Sequence, residues 1–559
     1  MAQTVTETAG RDVRWRQWVA PVALFLIGLV LYSINLDQPP RTDELYHVLG
    51  ARGYLEHGEP RIADGVYERA RYFTAAIALL FNAFGESIVV GRLVSVVCGS
   101  LLVALLFVWV RSVAGQPAAW FAAIGFLTSP FAAQVFQDLR FYAPFTLLFW
   151  LAAMAVHAAA TAERPSRARL VWLTLTAAVC LSGALYLQPV TLIGVIGLGL
   201  WLGIQVGLPW LCAVLGGYMR VAIVLAVVAV AILGLAQIWF PSELWHRYRW
   251  TPLFDAATRN HFWYYHQWLN LYYPTLWPLF PLAALAALAL RARPALFCLC
   301  VFVTALLLLS FGGMKGVNYV TFALPFLFAV WGMALAYVWT RIRGFVLEVT
   351  DGALRGLGIP RLPAVKAALI AATVAFVVLA NTATIRTATM LAGVAVPPEV
   401  NPPDWAAAAE PLRPWLDQAS VVLTTSDIEM LYFLGDYDVL INKSRWSELG
   451  DEKTEFGRDR RTGKPVVSTP ESVGLIIDCS PDGLIVTSEH RWRVWHQLDD
   501  TIANLIVERT VPIELPRASQ IMAFHWERTP GAVAPSACAD LPVPQRDSRS
   551  GKTADASSQ

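Results

Sequence analysis

The sequence predicts a polytopic α-helical membrane protein that carries an α/β domain near its C-terminal end. Of its 559 residues, 56% are hydrophobic and only 15% are charged, whereas a soluble domain carries about 25% charged residues. The mean hydropathy is +0.50. Apolar segments of spanning length recur as far as residue 384, and short β-rich runs then alternate with helical patterns. The net charge of +2 gives no reason to expect a nucleic-acid partner.

Transmembrane helices need roughly 20 mainly apolar residues. This criterion predicts about 11 spans, centred near residues 26, 100, 126, 151, 179, 197, 230, 282, 303, 330 and 375. Arg11, Arg164, Arg167, Arg291 and Arg343 belong to loops that fall on one side of the bilayer if the N-terminus is cytoplasmic. The C-terminal domain would then be extracytoplasmic. No small-residue cleavage site follows the first apolar run, so we expect residues 17–35 to be a retained span.

We expect three parts along the chain. Residues 1–384 form the membrane domain, residues 385–542 the α/β domain, and residues 543–559 a disordered polar tail. The outer loop 36–86 is assigned to the membrane domain. Apolar residues at near-helical spacing predict an amphipathic helix over 43–57 lying on the membrane, and the apolar stretch 70–84 predicts a second interfacial helix.

The α/β domain is predicted from short strand-like runs. They occupy residues 421–425, 438–441, 465–468, 484–487 and 520–524, with helical patterns over 427–434 and 490–507. Cys479 and Cys538 lie in this part of the chain. If the domain is outside the cytosol they can form a disulfide, but spacing alone does not set connectivity, and free thiols remain the alternative.

Asp43 and Glu44 form an adjacent carboxylate pair just beyond the first predicted span. A carboxylate at this place can take a proton from an acceptor hydroxyl or amine, which indicates chemistry on a lipid-anchored substrate at the bilayer surface. Asp43 also follows two prolines and precedes a helical pattern, so it can cap a helix. The two roles are compatible. His47, four residues later on the same helix face, either supports Asp43 or is an interfacial histidine without a role.

Arg140 and Asp138 lie at the predicted outer end of the third span, and Tyr142 follows them. Charges at membrane depth are costly and usually functional. A guanidinium matches the geometry of a phosphate, so Arg140 is a candidate phosphate ligand. The alternative is a local salt bridge or an interface anchor.

Two further outer segments supply cations. Lys315 precedes Tyr319 in a glycine-rich loop and either binds a phosphate or extends its ammonium to the interface. Arg259 and His261 lie among tryptophans in the loop 241–273. That combination suits an isoprenoid-phosphate headgroup, with a positively charged interfacial loop as the alternative.

In chain order, these pieces resemble the GT-C glycosyltransferases, especially the protein-mannosyltransferase-like and lipid A aminoarabinose-transferase-like families. The resemblance covers about residues 20–340. It depends on Asp43-Glu44, Gly91-Arg92-Leu93-Val94-Ser95, Ser129-Pro130 leading to Arg140-Phe141-Tyr142, Lys315 to Tyr319, and Pro325. Relatives often have Glu-Ala-Arg-x-Tyr where this chain has Gln137 to Tyr142, and an arginine where it has Asn318.

The resemblance implies a polyprenyl-phosphate-linked sugar as donor and transfer on the periplasmic or extracytoplasmic side of a bacterial inner membrane. It implies that Asp43 is the base and that Glu44 positions the acceptor or supports Asp43. Arg140, Tyr142 and Lys315 would then bind the donor phosphate.

The sequence contains no credible nucleotide-binding loop and leaves a divalent metal open. It also leaves open whether a hexose or a pentose is moved and whether the acceptor is a lipid, a polysaccharide or a protein. A flippase or transporter of lipid-linked sugars and a non-catalytic membrane scaffold are the alternative functions. We see no internal repeat of the kind found in many transporters.

Overall fold

The computed structural model describes residues 18–207, 262–312, 315–356, 381–394, 403–442, 456–494 and 498–528, together with residues 538, 541 and 543. The predicted spans near 230 and 375 lie outside these residues. So do Arg259, His261 and nearly all of the predicted tail.

Helices make up most of the described chain before residue 395. As far as residue 207 they are α1 (Trp18–Tyr32), α2 (Thr42–His57), α3 (Arg71–Phe84), α4 (Ile88–Ala114), α5 (Gln116–Leu127), α6 (Pro130–Gln137), α7 (Tyr142–Thr161), α8 (Arg167–Leu187) and α9 (Thr191–Leu202). A π-helical turn, Gly203–Gly207, continues α9. The next are α10 (Tyr264–Tyr272), α11 (Phe280–Phe311), the 3₁₀ segment Val317–Ala323, α12 (Leu324–Gly356) and α13 (Thr382–Leu391).

Within the described residues, five helical segments are long and apolar enough to cross a membrane. They are α4, α7, α8, α11 and the segment Val317–Gly344. The pair α5 and α6, bent by 58°, makes a sixth if it is one broken span. The predicted spans near 282 and 303 both fall in α11, where Arg291 has non-helical backbone angles and separates two helical stretches. α1 and Thr191–Gly207 are apolar but shorter.

Short strands and helices alternate toward the C-terminus. A small hairpin in the outer loop pairs β1 (Arg61–Ile62) with β2 (Gly65–Val66). The C-terminal strands are β3 (Val422–Thr424), β4 (Val439–Ile441), β5 (Gly457–Arg458), β6 (Pro465–Val467), β7 (Asp482–Ser488), β8 (Val511–Ile513) and β9 (Ile521–Glu527). The helices are α14 (Trp405–Gln418), α15 (Asp427–Glu429), α16 (Pro470–Cys479) and α17 (Asp500–Arg509), with π-helical turns Met430–Leu434 and His490–Val494.

Across the described residues, β3 to β9 form one mixed sheet in the order β5-β6-β4-β3-β7-β9-β8. β6, β4, β3 and β7 are parallel, and β5, β8 and β9 are antiparallel to their neighbours. The five predicted strands are confirmed, because β-branched and aliphatic runs mark buried strands locally. The sequence reasoning missed β5, β8, α14 and α16.

The chain divides into two compact units, which we call the helical unit and the sheet unit. The helical unit contains residues 18–36 and the described residues between 92 and 394. The sheet unit contains residues 37–91 and the described residues from 403 onward. The sequence assigns the loop 36–86 to the membrane domain. In the structure, residues 37–91 belong to the same compact unit as the C-terminal sheet.

Residues of α2 enter the core of the sheet unit. Leu45 and Leu49 belong to the same buried cluster as Trp405 of α14 and Val422 and Leu484 of the sheet. Alternate strand residues point to the opposite face, where α16 and α17 cover them. The sheet is therefore covered by helices on both faces, and the outer loop supplies one of them.

The prediction of an amphipathic α2 is wrong, although the helix itself is confirmed. Residues 45–51 are all buried, whereas an amphipathic surface helix buries one stripe. The sheet core covers one side, and α3 covers another, where a Cβ on Gly50 would lie 3.0 Å from Thr74 Cγ2. The predicted helix over 70–84 is confirmed as α3, which buries Phe73 and Phe81 and exposes Leu79.

The hairpin of the outer loop lies against the turn between β5 and β6. The Asp64 amide donates to the Thr462 carbonyl at 2.9 Å. A Cβ on Gly65 would lie 2.6 Å from the carbonyl carbon of Arg461, so this contact needs glycine. At the end of α16, Cys479 forms a disulfide with Cys538, with Cα atoms 5.3 Å apart.

Candidate active site

The first turn of α2 carries the carboxylate pair. Arg41 is the N-cap, and the Glu44 carboxylate turns back to accept a hydrogen bond from the Arg41 amide at 2.8 Å. Glu44 is fully buried, and Asp43 is exposed in the first helical turn. Asp43 is therefore not the N-cap, which corrects that alternative. The capping bond is made by Glu44 three residues after the cap, as in a capping box.

His47 is buried between α2 and α3. Its Nδ1 lies 2.9 Å from Thr74 Oγ1. The imidazole meets the rings of Phe73 and Tyr67 edge-on, at centroid distances of 4.9 and 5.4 Å. These contacts fix α2 against α3 and direct the ring of His47 toward the inside of the sheet unit.

The helix start is also tied to the α/β sheet. The Thr42 hydroxyl donates to Glu429 Oε1 at 2.5 Å, and Arg491 Nη2 donates to the two Glu429 oxygens at 3.2 and 3.3 Å. Sequence reasoning missed Glu429 and Arg491. The available signal was their position just after the strand patterns 421–425 and 484–487, since the carboxyl ends of parallel strands meet at one sheet edge.

In the helical unit, Arg140 lies at the corner between α6 and α7. Its guanidinium carbon is 5.0 Å from the centre of the Phe141 ring and 5.7 Å from that of Tyr142. Both distances are in the range of cation–π attraction. The Arg140 carbonyl accepts from Ser95 Oγ at 3.2 Å, and its amide donates to the Asp138 carbonyl at 2.8 Å. Each of these side chains is at least nine-tenths buried.

The segment Gly91 to Ser95 fixes this corner. Besides the bond from Ser95, Arg92 Nη1 donates to the Leu36 carbonyl at 2.8 Å. Ser129 caps α6 by accepting from the Ala132 amide, and its hydroxyl is 2.6 Å from that of Tyr273. These residues hold backbone segments in place, so they are architectural parts of the helical unit.

Lys315 folds back onto the end of α11. Its ammonium donates to the Leu309 carbonyl at 2.9 Å and to the Ser310 carbonyl. These carbonyls lie in the last turn of the helix, where a cation is favoured by the helix dipole. Lys315 is only 8% exposed, so it is not extended to the interface. Burial lowers the pKa of Lys315 from 10.5 to about 8.

Tyr265 of α10 is the tyrosine that sequence reasoning missed. Its ring centre is 5.8 Å from the Lys315 ammonium. It interacts electrostatically with Tyr319 and Tyr142, so the structure brings Lys315, Tyr319 and Tyr142 to one region of the helical unit. Only a run of aromatic residues in the loop 241–273 marked Tyr265 in the sequence. No group of three His, Cys, Asp or Glu side chains arranged to hold a metal occurs among the described residues.

Solved structures share this fold. ArnT from Cupriavidus metallidurans in the apo state aligns with a TM-score of 0.57 at 15% identity, over 92% of this chain and 98% of that chain. ArnT from the same organism bound to undecaprenyl phosphate aligns with a TM-score of 0.56 at 15% identity, over 90% and 97%.

The oligosaccharyltransferase AglB from Archaeoglobus fulgidus, in complex with an inhibitory peptide and a dolichol-phosphate, aligns with a TM-score of 0.51 at 13% identity. The match covers 89% of this chain and 73% of that chain. The sequence matches no family model and no curated protein. The likeness establishes the GT-C fold, so the fold implied by the sequence resemblance is confirmed.

Proposed function

We propose that this protein is an inverting membrane glycosyltransferase that moves a sugar from a polyprenyl-phosphate donor to an acceptor on the extracytoplasmic side. The observation that carries the proposal is the exposed Asp43 in the first turn of α2, in a chain with the GT-C fold. Structures with this fold have been solved with undecaprenyl phosphate and with dolichol-phosphate bound. Those lipids define the class of leaving group.

Asp43 acts as the general base in one displacement. The acceptor hydroxyl oxygen attacks the anomeric carbon of the donor, and its proton passes to the Asp43 carboxylate. The bond from the anomeric carbon to the phosphate oxygen breaks, and the polyprenyl phosphate leaves with the electron pair. A single displacement inverts the anomeric centre. Glu44, whose carboxylate accepts from the Arg41 amide, fixes the helix turn that carries Asp43.

Cations of the helical unit bind the donor phosphate. An ammonium has three donors, and Lys315 directs two of them to carbonyls, which leaves one N–H for a phosphate oxygen. Arg140 offers a planar guanidinium beside Tyr142. Positive charge stabilises the departing phosphate because negative charge increases on its oxygen in the transition state. Tyr319 belongs to the same proposed donor site, as do Arg259 and His261, which lie outside the described residues. Asp138 supports the corner that carries Arg140, and His47 supports α2 by packing it against α3.

We place the protein in a bacterial inner membrane, with the sheet unit on the periplasmic side. The disulfide between Cys479 and Cys538 supports this side, since disulfides persist in oxidising compartments. A lipid, a polysaccharide and a protein are the acceptor classes that the chemistry allows.

The test uses purified wild type, Asp43→Asn and Glu44→Gln with synthetic undecaprenyl-phosphate hexose and pentose donors and cell-envelope extract as acceptor. Released undecaprenyl phosphate and sugar-bearing product are quantified. We expect Asp43→Asn to lose at least about 10³-fold in rate, since it removes the base, whereas Glu44→Gln keeps the cap and most of the rate.

Full activity of Asp43→Asn would remove the proposed base. If the wild type moves the intact donor across vesicle membranes without product, the flippase alternative holds instead.

A further inference from the structure

The parallel strands of the sheet change order at β3. β4 and β6 lie on one side of it, and β7, which comes later in the chain, lies on the other. Open α/β sheets bind ligands at such a switch point, in the crevice beyond the carboxyl ends of the two diverging strands. In this chain, Asp427 and Glu429 follow β3 and Arg491 follows β7. Three charged residues therefore meet at the place where a ligand is expected.

These charges form a buried network. Arg491 Nη2 donates to both oxygens of Glu429, at 3.2 and 3.3 Å, and Arg491 Nη1 donates to the Thr425 carbonyl at 2.8 Å. Arg491 and Glu429 are 7% and 6% exposed. A buried guanidinium held by two partners has a fixed position, so the Glu429 carboxylate is a rigid acceptor.

The crevice is occupied by α2. The Thr42 hydroxyl donates to Glu429 Oε1 at 2.5 Å, and the Tyr46 hydroxyl donates to Asp427 Oδ2 at 3.3 Å. Residues four apart lie on one face of a helix, so both bonds come from the same side of α2. Arg461 Nη1 donates to the Tyr46 hydroxyl at 3.3 Å from the β5–β6 turn. The switch point thus holds a segment of the same chain.

We propose that Thr42, Glu429 and Arg491 are positioning residues, through which the α/β sheet fixes the helix start that carries the Asp43 carboxylate. The inference rests on the proposed function, because it assumes that Asp43 is the base. Thr42 is the first residue of α2 and directly precedes Asp43. The bond from Thr42 to Glu429 therefore holds the first-turn backbone from which the Asp43 side chain extends. A displacement of about 1 Å at a reacting group can lower a rate by about 10²-fold.

The experiment compares Thr42→Val with Thr42→Ser in the full-length protein, using the donors and acceptor of the Asp43 test. Valine keeps the β-branch and removes the hydroxyl, whereas serine keeps the hydroxyl. We expect Thr42→Val to lower kcat by about 10- to 100-fold with the KM for donor unchanged. Thr42→Ser should restore kcat to within about threefold of the wild type, since the bond to Glu429 is kept.

Thr501 provides the matched control. Its hydroxyl donates to Asp499 Oδ1 at 2.7 Å on the surface of the same unit, so Thr501→Val removes a similar bond at another place. We expect Thr501→Val to keep the wild-type kcat. Glu429→Ala removes the acceptor of the Thr42 hydroxyl, and Thr42→Val added to it should lower kcat no further if the two residues act together.

The outcomes separate the two proposals. If the wild type makes product, Asp43→Asn does not, and Thr42→Val has the wild-type kcat, the positioning role is overturned and the proposed function stands. An equal loss in Thr42→Val and Thr42→Ser also overturns it. If Asp43→Asn is fully active, the proposed function itself fails.

Discussion

Tyr265 and Gly316 are joined by hydrogen bonds in both directions. The Tyr265 hydroxyl donates to the Gly316 carbonyl at 3.2 Å and accepts from the Gly316 amide at 3.3 Å. Gly316 directly follows Lys315, and a Cβ at Gly316 would lie 3.2 Å from the Tyr319 ring. One buried hydroxyl thereby fixes the short loop that carries the lysine, and it gives the Gly316 amide an acceptor at the start of the 3₁₀ segment.

Tyr265→Phe should release this loop. The substitution leaves the Gly316 amide without this acceptor, while the Gly316 carbonyl still accepts from the Tyr319 amide at 3.0 Å. A buried unsatisfied group costs about 1–3 kcal/mol. We expect a lower melting temperature and a KM for donor raised by about 10-fold, with a smaller change in kcat. Thermal unfolding and steady-state kinetics in detergent measure both. Tyr337→Phe is the control, because the ring of Tyr337 contacts Arg341 and is retained. Equal KM values in the two variants would contradict the prediction.

The pKa of Lys315 predicts a pH dependence. Since burial lowers that pKa to about 8, the ammonium is charged at pH 7 and loses its proton as the pH rises through 8. If Lys315 binds the donor phosphate, kcat/KM for donor should fall above about pH 8, because kcat/KM reports the free enzyme. In Lys315→Arg, kcat/KM for donor should not fall above about pH 8, since a guanidinium stays charged. A wild-type profile that stays flat to pH 9.5 would exclude the phosphate role.

The same group affects stability with the opposite trend. The unfolded lysine has a pKa near 10.5 and the folded one near 8, so the unfolded chain binds more protons between these values. Stability should therefore rise with pH across this window. Lys315→Met should remove the rise, as measured by the unfolding temperature in buffers from pH 7.5 to 10.

Gly463→Ala should detach the outer-loop hairpin from the sheet. Gly463 has a φ of +69°, and an added Cβ would lie 2.5 Å from the Asp64 carbonyl carbon. The strained backbone and the clash both destabilise the folded state, so we expect the free energy of unfolding to fall by more than about 2 kcal/mol. Gly435→Ala is the control, since it has a φ of +93° and open space around the added Cβ. Equal losses would show that the contact with Asp64 contributes nothing.

Removal of the disulfide should destabilise the sheet unit. The bond joins cysteines 59 residues apart, and cross-links of this span stabilise by about 2–5 kcal/mol in small secreted domains. We expect the double variant Cys479→Ser and Cys538→Ser to unfold at a lower temperature than the wild type. A reducing agent should lower the unfolding temperature of the wild type but not that of the double variant. An identical unfolding temperature in reduced and oxidised wild type would contradict this expectation.

Local patterns predicted the elements correctly where a short segment carries its own signal. The strands over 421–425 and 484–487 are apolar runs bounded by polar residues, and they form β3 and β7. The apolar segments near 100 and 151 form α4 and α7. These predictions succeed because hydrophobic length and periodicity depend only on neighbouring residues. By contrast, the sequence predicts that α2 lies on the membrane surface, whereas its apolar residues pack in the core of the sheet unit. The apolar pattern of a helix does not reveal whether lipid or protein covers it.

The sequence by itself determined that this chain has membrane-spanning lengths of apolar helix, an α/β segment near its C-terminus and an adjacent pair of acids after its first apolar segment. Only the tertiary structure decided what holds those acids. Thr42 and Glu429 are 387 residues apart, and Lys315 meets Tyr265 across 50 residues of chain. No local signal specifies such pairs, because they arise from how the sheet and the helices close around their cores.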